Sequence, residues 1–399
     1  MMKLLNTSKF KPTIPKERIE QIDILRGFAL FGILLVNVFG YNSSFFDFSG
    51  FYNIFEDSLN STVYDIVIGF GADKFIFIFS FLFGIGFSIM YEKYQADEKH
   101  FQSLFLRRMF GLMIFGIIHI TFFWAGDILF TYSVMGIILL FSRRLSSGLL
   151  LFLSVAIYFF PILYIALETV FQMLPSALSS VTEITMPEVI NTYSNGTYVE
   201  IFNLRMNEYF AFRNINLIYY APKVLSLFFL GYLFYKHKSL ERINSSQVNF
   251  FVLFLIFFSI GFLLNIFTDN IVSSLANSDT NPFSTAIYMG VFEVANVFLG
   301  FSYILFVLLL SKVLIFKKIL NPLKYVGRMA LTNYLMQTII FTTIMYSYGF
   351  GMFGSYEPWQ LVILAVLVFV VQIMASSIWL RYFRFGPLEW IWRKFTYLN

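Results

Sequence analysis

Cysteine is absent from all 399 residues, so the chain has no disulfide frame, no thiolate metal site and no cysteine nucleophile, and it carries no sign of its redox compartment. Charge is scarce. Asp, Glu, Lys and Arg make up 13% of the residues, against about 25% in soluble domains. Only three histidines occur. There is no Walker A loop, no dinucleotide glycine fingerprint, no His-rich metal cluster and no GxSxG elbow, which argues against nucleotide hydrolysis as a driving force. What is abundant is apolar and aromatic: 58% of residues are hydrophobic, 54 are Phe, and the mean hydropathy is +0.73. A chain of this make-up cannot hide its apolar surface in water.

Several nearly uncharged runs approach 20 residues, the length that crosses a hydrocarbon core of about 30 Å. They predict about ten transmembrane helices, at residues 24–41, 75–91, 105–124, 127–142, 148–170, 214–235, 248–268, 284–311, 329–347 and 359–380. The expected fold is therefore an all-α polytopic membrane helix bundle, one domain over residues 1–399. It has a tail at 1–20, an extracytoplasmic loop at 171–212 and C-terminal helices over 236–399. An even number of spans puts both termini on one side. All the basic residues except Lys74, Arg205, Arg213 and Lys223 then fall at that side, while Asp47, Glu56, Asp57, Glu183, Glu188, Glu200, Asp269, Asp279 and Glu357 fall opposite. By the positive-inside rule, the termini are cytoplasmic and the protein sits in the cell (inner) membrane. The same rule accounts for the formal charge of +5 without a nucleic acid. The first 20 residues are polar and do not read as a cleavable signal peptide.

The pair 105–124 and 127–142 is separated only by Ala125 and Gly126, which requires a tight outer hairpin. Losing that pair would leave the topology parity unchanged. In the outer loop, Pro175, Pro187 and Asn195-Gly196 break the chain into pieces. After them Tyr198 to Phe212 is helix-compatible, with Arg205 and Glu208 three apart on one face. This segment is either a solvated or interfacial cap or a lid over a site. No internal repeat of the transporter kind is evident.

Charged and polar groups inside spans are expensive, so each is a functional candidate unless a partner explains it. Asp23 and Arg26 lie three apart at the mouth of the first helix, with Asn37 further along it; an anchoring ion pair and a catalytic role fit about equally. Asp73-Lys74 precedes a long apolar run, and Lys74 is placed either to snorkel outward or to contact an anion or substrate. His119 is the only imidazole in a span, since His100 and His237 lie in polar loops. Neutral imidazole accepts a proton near pH 7, and Asp127 is the carboxylate able to fix its tautomer, with Tyr132 close behind. Positions eight apart on a straight helix lie about 12 Å apart, so contact requires the Ala125-Gly126 break to turn Asp127 back. The alternative is a histidine satisfied by a neighbouring helix. Arg328, Thr332, Asn333 and Gln337 form a fourth group; Asn333 and Gln337, one turn apart, suit inter-helix hydrogen bonding. Glu293 is isolated in its span.

Four segments, in order, resemble the YeiB-like family of bacterial membrane proteins: RIEQIDILRGFALFGILLVN (Arg18 to Asn37), FIFIFSFLFGIGF (Phe75 to Phe87), the string from His119 to Tyr132, and GRMALTNYLMQ (Gly327 to Gln337). That family resembles in turn the transmembrane acyltransferase superfamily, which includes O-acyltransferases of surface glycans and the lysosomal heparan-glucosaminide N-acetyltransferase. The resemblance implies an acyltransferase-like bundle. It would take an acyl group from cytoplasmic acyl-CoA to an extracytoplasmic glycan or a lipid-linked acceptor, with no tightly bound cofactor and an intramembrane His as catalytic group. His119 is the matching candidate. Asp23 and Arg26 match the DxxRG start of the N-acetyltransferase relatives, where a cation would help hold a CoA phosphate or pantetheine. The first helix carries Asn37 where the O-acyltransferases have a catalytic His, a departure from their pattern.

Three readings follow. In the first, His119 deprotonates an acceptor attacking a thioester, Asp127 orients it, and Lys74 or Arg205 positions the acceptor. In the second, Asp73, Lys74, His119, Asp127 and Glu293 line the path of a transporter or flippase. In the third, the polar residues only lock helices together. The expected partners are membrane lipids, acyl-CoA and the acceptor; homo-oligomerisation is open.

Overall fold

A computed structural model describes residues 19–44, 52, 55, 57–171, 185–239, 250–268 and 283–398, and among them the chain is helical with no strand. The tail before Ile19, Arg242 and the acidic residues Asp47, Glu56, Glu183, Asp269 and Asp279 lie outside the described residues.

All ten apolar runs are helical. The helices are α1 (Glu20–Tyr41), α2 (Ser58–Gly71), α3 (Lys74–Tyr94), α4 (Glu98–Phe122), α5 (Leu129–Ser142), α6 (Ser147–Tyr158), α7 (Phe160–Phe171), α8 (Met186–Asn195) and α9 (Tyr198–Ile215). A π-turn (Asn216–Tyr220) leads into α10 (Ala221–Lys236), followed by α11 (Phe250–Ile266), α12 (Ser284–Leu310), α13 (Leu314–Leu320), α14 (Leu323–Arg328), α15 (Ala330–Met345), α16 (Pro358–Tyr382) and α17 (Pro387–Tyr397). Among the described residues, six stretches are long and apolar enough to cross a membrane, or seven if the pair α6–α7 counts as one. The helices α5, α11 and α15 are shorter, at 14, 17 and 16 residues.

The structure redraws three boundaries. The run 148–170 is bent by 45° beside Phe159 rather than straight. The apolar run starting at Lys74 is the second half of a 37-residue stretch beginning at Ser58. Asp57 caps the start of that stretch through the Leu59 and Asn60 amides. The span expected from residue 214 begins at Tyr198, because the chain passes from α9 to α10 through the π-turn without leaving the helix. The start at Tyr198 is fixed by a capping box between Thr197 and Glu200.

Helix α1 is the central element. Ala29, Leu30, Leu34 and Val38 are fully buried, and α1 packs on α3, α14, α15 and α16. Its closest neighbour is α14, where a Cβ on Gly27 would stand 2.1 Å from the Leu323 carbonyl oxygen, and one on Gly327 would stand 1.9 Å from that of Asp23. Only glycine at both positions permits that approach. It brings the first and last of the sequence motifs side by side. Around this core, Phe141, Phe152, Leu367 and Val371 are among many large apolar side chains left exposed, as lipid-facing surfaces require.

At one end of the bundle, α8 and α9 form a docked cap. Val189, Tyr193 and Ile201 are buried, and Tyr193 stacks on Tyr346 and Phe353 at ring separations of 4.4 and 4.6 Å. At the other end lie the basic residues of α1, α4, α14 and α17.

Candidate functional site

The Phe123–Ile128 segment turns the chain back on α4. Gly116 makes this possible, since a Cβ there would lie 2.5 Å from the Phe130 backbone nitrogen. Asp127 thereby reaches its partner eight residues away: Asp127 Oδ2 accepts from His119 Nδ1 at 2.8 Å, and Asp127 Oδ1 accepts from the Phe130 amide at 2.7 Å. A carboxylate only accepts, so it holds the Nδ1–H tautomer and leaves Nε2 as an acceptor. Nε2 faces the Thr338 hydroxyl at 2.9 Å, and Thr338 Oγ1 in turn meets the Tyr41 hydroxyl at 2.9 Å. The result is a chain of carboxylate, imidazole, aliphatic hydroxyl and phenol spanning the hairpin, α4, α15 and α1. All four side chains are buried. Carboxylate, imidazole and hydroxyl in this order form the arrangement that activates a hydroxyl or a proton donor in its place.

Sequence reasoning did not single out Thr338. A hydroxyl adds no charge to an apolar run, and its signal was only its register: Tyr334, Thr338 and Thr342 lie one turn apart on one face of α15. Tyr334 stands beside His119 at a ring separation of 5.3 Å. Asn37, one turn before Tyr41, is within reach of the Tyr41 hydroxyl.

Below this chain a cavity of about 420 Å³ opens at the basic end of the bundle. Arg26, Lys93, Arg108, Arg328 and Arg393 outnumber the acids Asp23 and Glu389 in its wall. Its inner surface is apolar and aromatic, with Phe79, Phe83, Leu129, Tyr132 and Tyr334, and it includes Ile128, the neighbour of Asp127. The volume lies within the usual range for small-molecule sites, about 300–1,000 Å³. Asp23 and Arg26 pair at 3.0 Å in the wall. The Tyr132 hydroxyl bonds that of Ser80 at 2.6 Å. Helix α17 closes one side, with Trp392 Nε1 donating to the Arg108 carbonyl at 2.7 Å. Glu389 anchors it by accepting from the Thr332 amide at 2.9 Å and hydroxyl at 2.6 Å. Burial raises the Glu389 carboxyl above its ordinary value, against the lowering effect of the Thr332 bonds.

Other candidates lie elsewhere. Asn333 and Gln337 face α16, where Asn333 Nδ2 donates to Ser376 Oγ at 3.0 Å and Gln337 Nε2 to Gln372 Oε1 at 2.9 Å. They join two helices and do not face His119. Arg205 does not pair with Glu208. It donates to the Thr121 and Phe123 carbonyls at 2.5 and 3.2 Å, satisfying the end of α4 just beyond His119. Glu208 instead accepts from Ser44 at 2.6 Å and Tyr193 at 2.5 Å, tying the cap to the bundle.

Lys74 does not snorkel. The left-handed Asp73 (φ 66°) turns the chain so that α3 starts inside the bundle, and the Lys74 ammonium is buried 4.6 Å from the Phe292 ring without a hydrogen-bond partner among the described residues. Beside it, Glu293 gains the partners that the sequence did not reveal. Lys223 bridges Asp73 and Glu293, 2.9 Å from each, and the Tyr158 and Tyr219 hydroxyls donate to Glu293.

An all-helical bundle with several membrane-length apolar helices, an internal polar chain and a cavity at one end defines the class as a polytopic membrane protein. Within that class, the chain belongs to the YeiB-like family. It is 32% identical to the uncharacterized protein YxaH of Bacillus subtilis over 409 residues, covering 98% of this chain and 97% of that relative. It is 28% identical to the uncharacterized protein YeiB of Escherichia coli, covering 95% and 96% of the two chains. It is also 29% identical to an uncharacterized 39.9 kDa protein in the amylase 3′ region of Bacillus acidopullulyticus, covering 97% and 96%. A family model described as a protein of unknown function (DUF418) matches residues 234–399, from the end of α10 through α17.

Proposed function

We propose that this protein is an acyltransferase of the cell membrane, moving an acyl group from cytoplasmic acyl-CoA to an extracytoplasmic or lipid-linked acceptor. The observation that carries this reading is the Asp127–His119–Thr338 chain, whose neighbours Ile128 and Tyr334 line the wall of a basic cavity. Ten crossings with both termini cytoplasmic turn the basic end, and so the cavity mouth, toward the cytoplasm; the helicity of all ten apolar runs supports that topology. Arg26, Arg108, Arg328 and Arg393 supply forked donors suited to the phosphates of CoA. The aromatic inner wall suits the pantetheine arm and a short acyl group, whose thioester is directed toward His119. The imidazole removes the proton from the attacking hydroxyl or amine, and Asp127 stabilises the resulting cation. On this reading Arg205 is committed to the carbonyls at the end of α4, and Lys74 is buried against Phe292 beside the Glu293 cluster, so neither positions the acceptor.

A second reading, a proton-coupled transporter or flippase, is favoured by one feature, the buried Asp73–Lys223–Glu293 network beside the unbonded Lys74. Solute uptake that requires a proton gradient and is lost in Glu293→Gln would select it. The acyltransferase reading is tested by equilibrium binding of labelled acetyl-CoA to the purified protein, with thiol release measured in parallel. Arg26→Ala is expected to weaken binding, while His119→Ala binds donor and releases no thiol. A folded wild-type protein that binds no acyl-CoA would overturn it.

A further inference from the structure

The basic cavity is not the only hollow near His119. A second groove, of about 330 Å³, lies between the other halves of α4 and α15 and is lined by Ile118, Phe122, Tyr198, Ile339, Thr342 and Tyr348, among others. Ile118 and Phe122 belong to the exposed apolar face of α4, so the groove opens sideways where lipid would lie. On α15 the cavity reaches Tyr334 and the groove takes in Ile339 and Thr342, with Thr338 between Tyr334 and Ile339. On α4 the order repeats: Leu112 lines the cavity, Ile118 and Phe122 line the groove, and His119 lies between them.

Tyr334 and Thr342 are eight residues apart, about 12 Å along a helix, so an acyl group passing from the cavity to that end of the groove needs a carrier between them. Thr338 is about 6 Å from each level. Its hydroxyl is already hydrogen-bonded to the free nitrogen of an imidazole whose other nitrogen is held by a carboxylate.

We propose that Thr338 is the nucleophile and carries the acyl group as an ester between the two hollows. This rests on the acyl-CoA reading above. His119 Nε2 takes the Thr338 proton as Oγ1 bonds to the thioester carbonyl carbon. The carbon–sulfur bond breaks, and the CoA sulfur leaves with the proton from the imidazolium. In the second half, an acceptor hydroxyl or amine in the groove gives its proton to Nε2 and attacks the ester carbonyl. Thr338 Oγ1 leaves and recovers its proton. The acceptor class that fits a groove lined almost wholly by apolar and aromatic surface and open toward lipid is a lipid-linked alcohol or amine. The Tyr334 ring is the partition between cavity and Thr338, held by its hydroxyl on the Gly126 carbonyl at 3.3 Å, and it swings aside in the first half-reaction.

The test uses the full-length protein in lipid nanodiscs with carbonyl-labelled acetyl-CoA and no acceptor, quenched in acid and mapped by peptide mass spectrometry. Donor binding is measured on the same samples. The expected result is label on the Thr338 peptide in wild type and Thr338→Ser, and none in Thr338→Val that still binds donor. Thiol release by Thr338→Val within tenfold of wild type, or label on His119 instead, would overturn the role of Thr338 and leave the donor reading intact. A wild-type protein that neither binds acetyl-CoA nor cleaves it would overturn both. Should Thr338→Val fail to fold, the peptide map of the wild type and Thr338→Ser decides alone.

Discussion

Two buried polar clusters divide this bundle, and they solve the cost of burial differently. Around Glu293, Lys223 is shared by two carboxylates and Glu293 takes two tyrosine hydroxyls, so the charges are matched within the protein. Around His119, one carboxylate meets a group that is charged only when it takes a proton, and the chain runs on through the neutral hydroxyls of Thr338 and Tyr41. Charges matched by fixed partners staple helices together, and a mismatch that a proton resolves is suited to chemistry. The two clusters should therefore respond oppositely to mutation, one in stability and the other in turnover.

The largest expected effect is on turnover. His119→Ala should lower thiol release from acyl-CoA by about 10²–10⁴-fold, the usual contribution of a general base, with little change in melting temperature. The converse is expected of Glu293→Ala, which leaves Lys223 with one of its two carboxylates. Breaking a buried pair costs about 3–5 kcal/mol, read as a lower melting temperature in detergent, while turnover per folded molecule is retained. Equal loss of activity in both variants would erase the distinction.

Arg26→Ala, at the cavity mouth, should weaken acyl-CoA binding about tenfold, equivalent to about 1.4 kcal/mol, and leave the melting temperature nearly unchanged. Glu389 gives a smaller, pH-dependent effect. Its carboxyl is raised above 4.5 in the fold, so the folded state holds the proton more tightly and stability falls as pH rises from about 4.5 through the raised value. In Glu389→Gln that slope should vanish from melting curves taken across this range. The smallest effect is expected at the α15–α16 seam, where Gln337→Leu should cost about 0.6–1.7 kcal/mol of stability and leave donor binding unaltered.

The helices were legible because lipid demands long apolar runs, and six or seven of the ten expected runs or their extensions are long and apolar enough to cross a membrane among the described residues. Helix α2 was not, since Asn60 and Asp65 interrupt its 14 residues and its far end continues into a run that already looked complete. The contact between His119 and Asp127 was legible as a condition, a chain reversal at Ala125-Gly126, and Gly116 supplies the space for it. The partners of Glu293 were not, because Lys223, Tyr219 and Tyr158 lie 70, 74 and 135 residues away and only packing brings them together. Thr338 escaped for a different reason. Charge singles a residue out within an apolar span, whereas a hydroxyl on α15 looks the same whether it packs or reacts.

Sidedness tests the central claim most directly: thiol release from acetyl-CoA added outside vesicles that hold the protein in known orientation. The account predicts release when the basic end faces outward, as in inside-out vesicles, none in right-side-out vesicles, and loss in His119→Ala. Release that is indifferent to orientation or unchanged in His119→Ala, or no release from either preparation of folded protein, would contradict it.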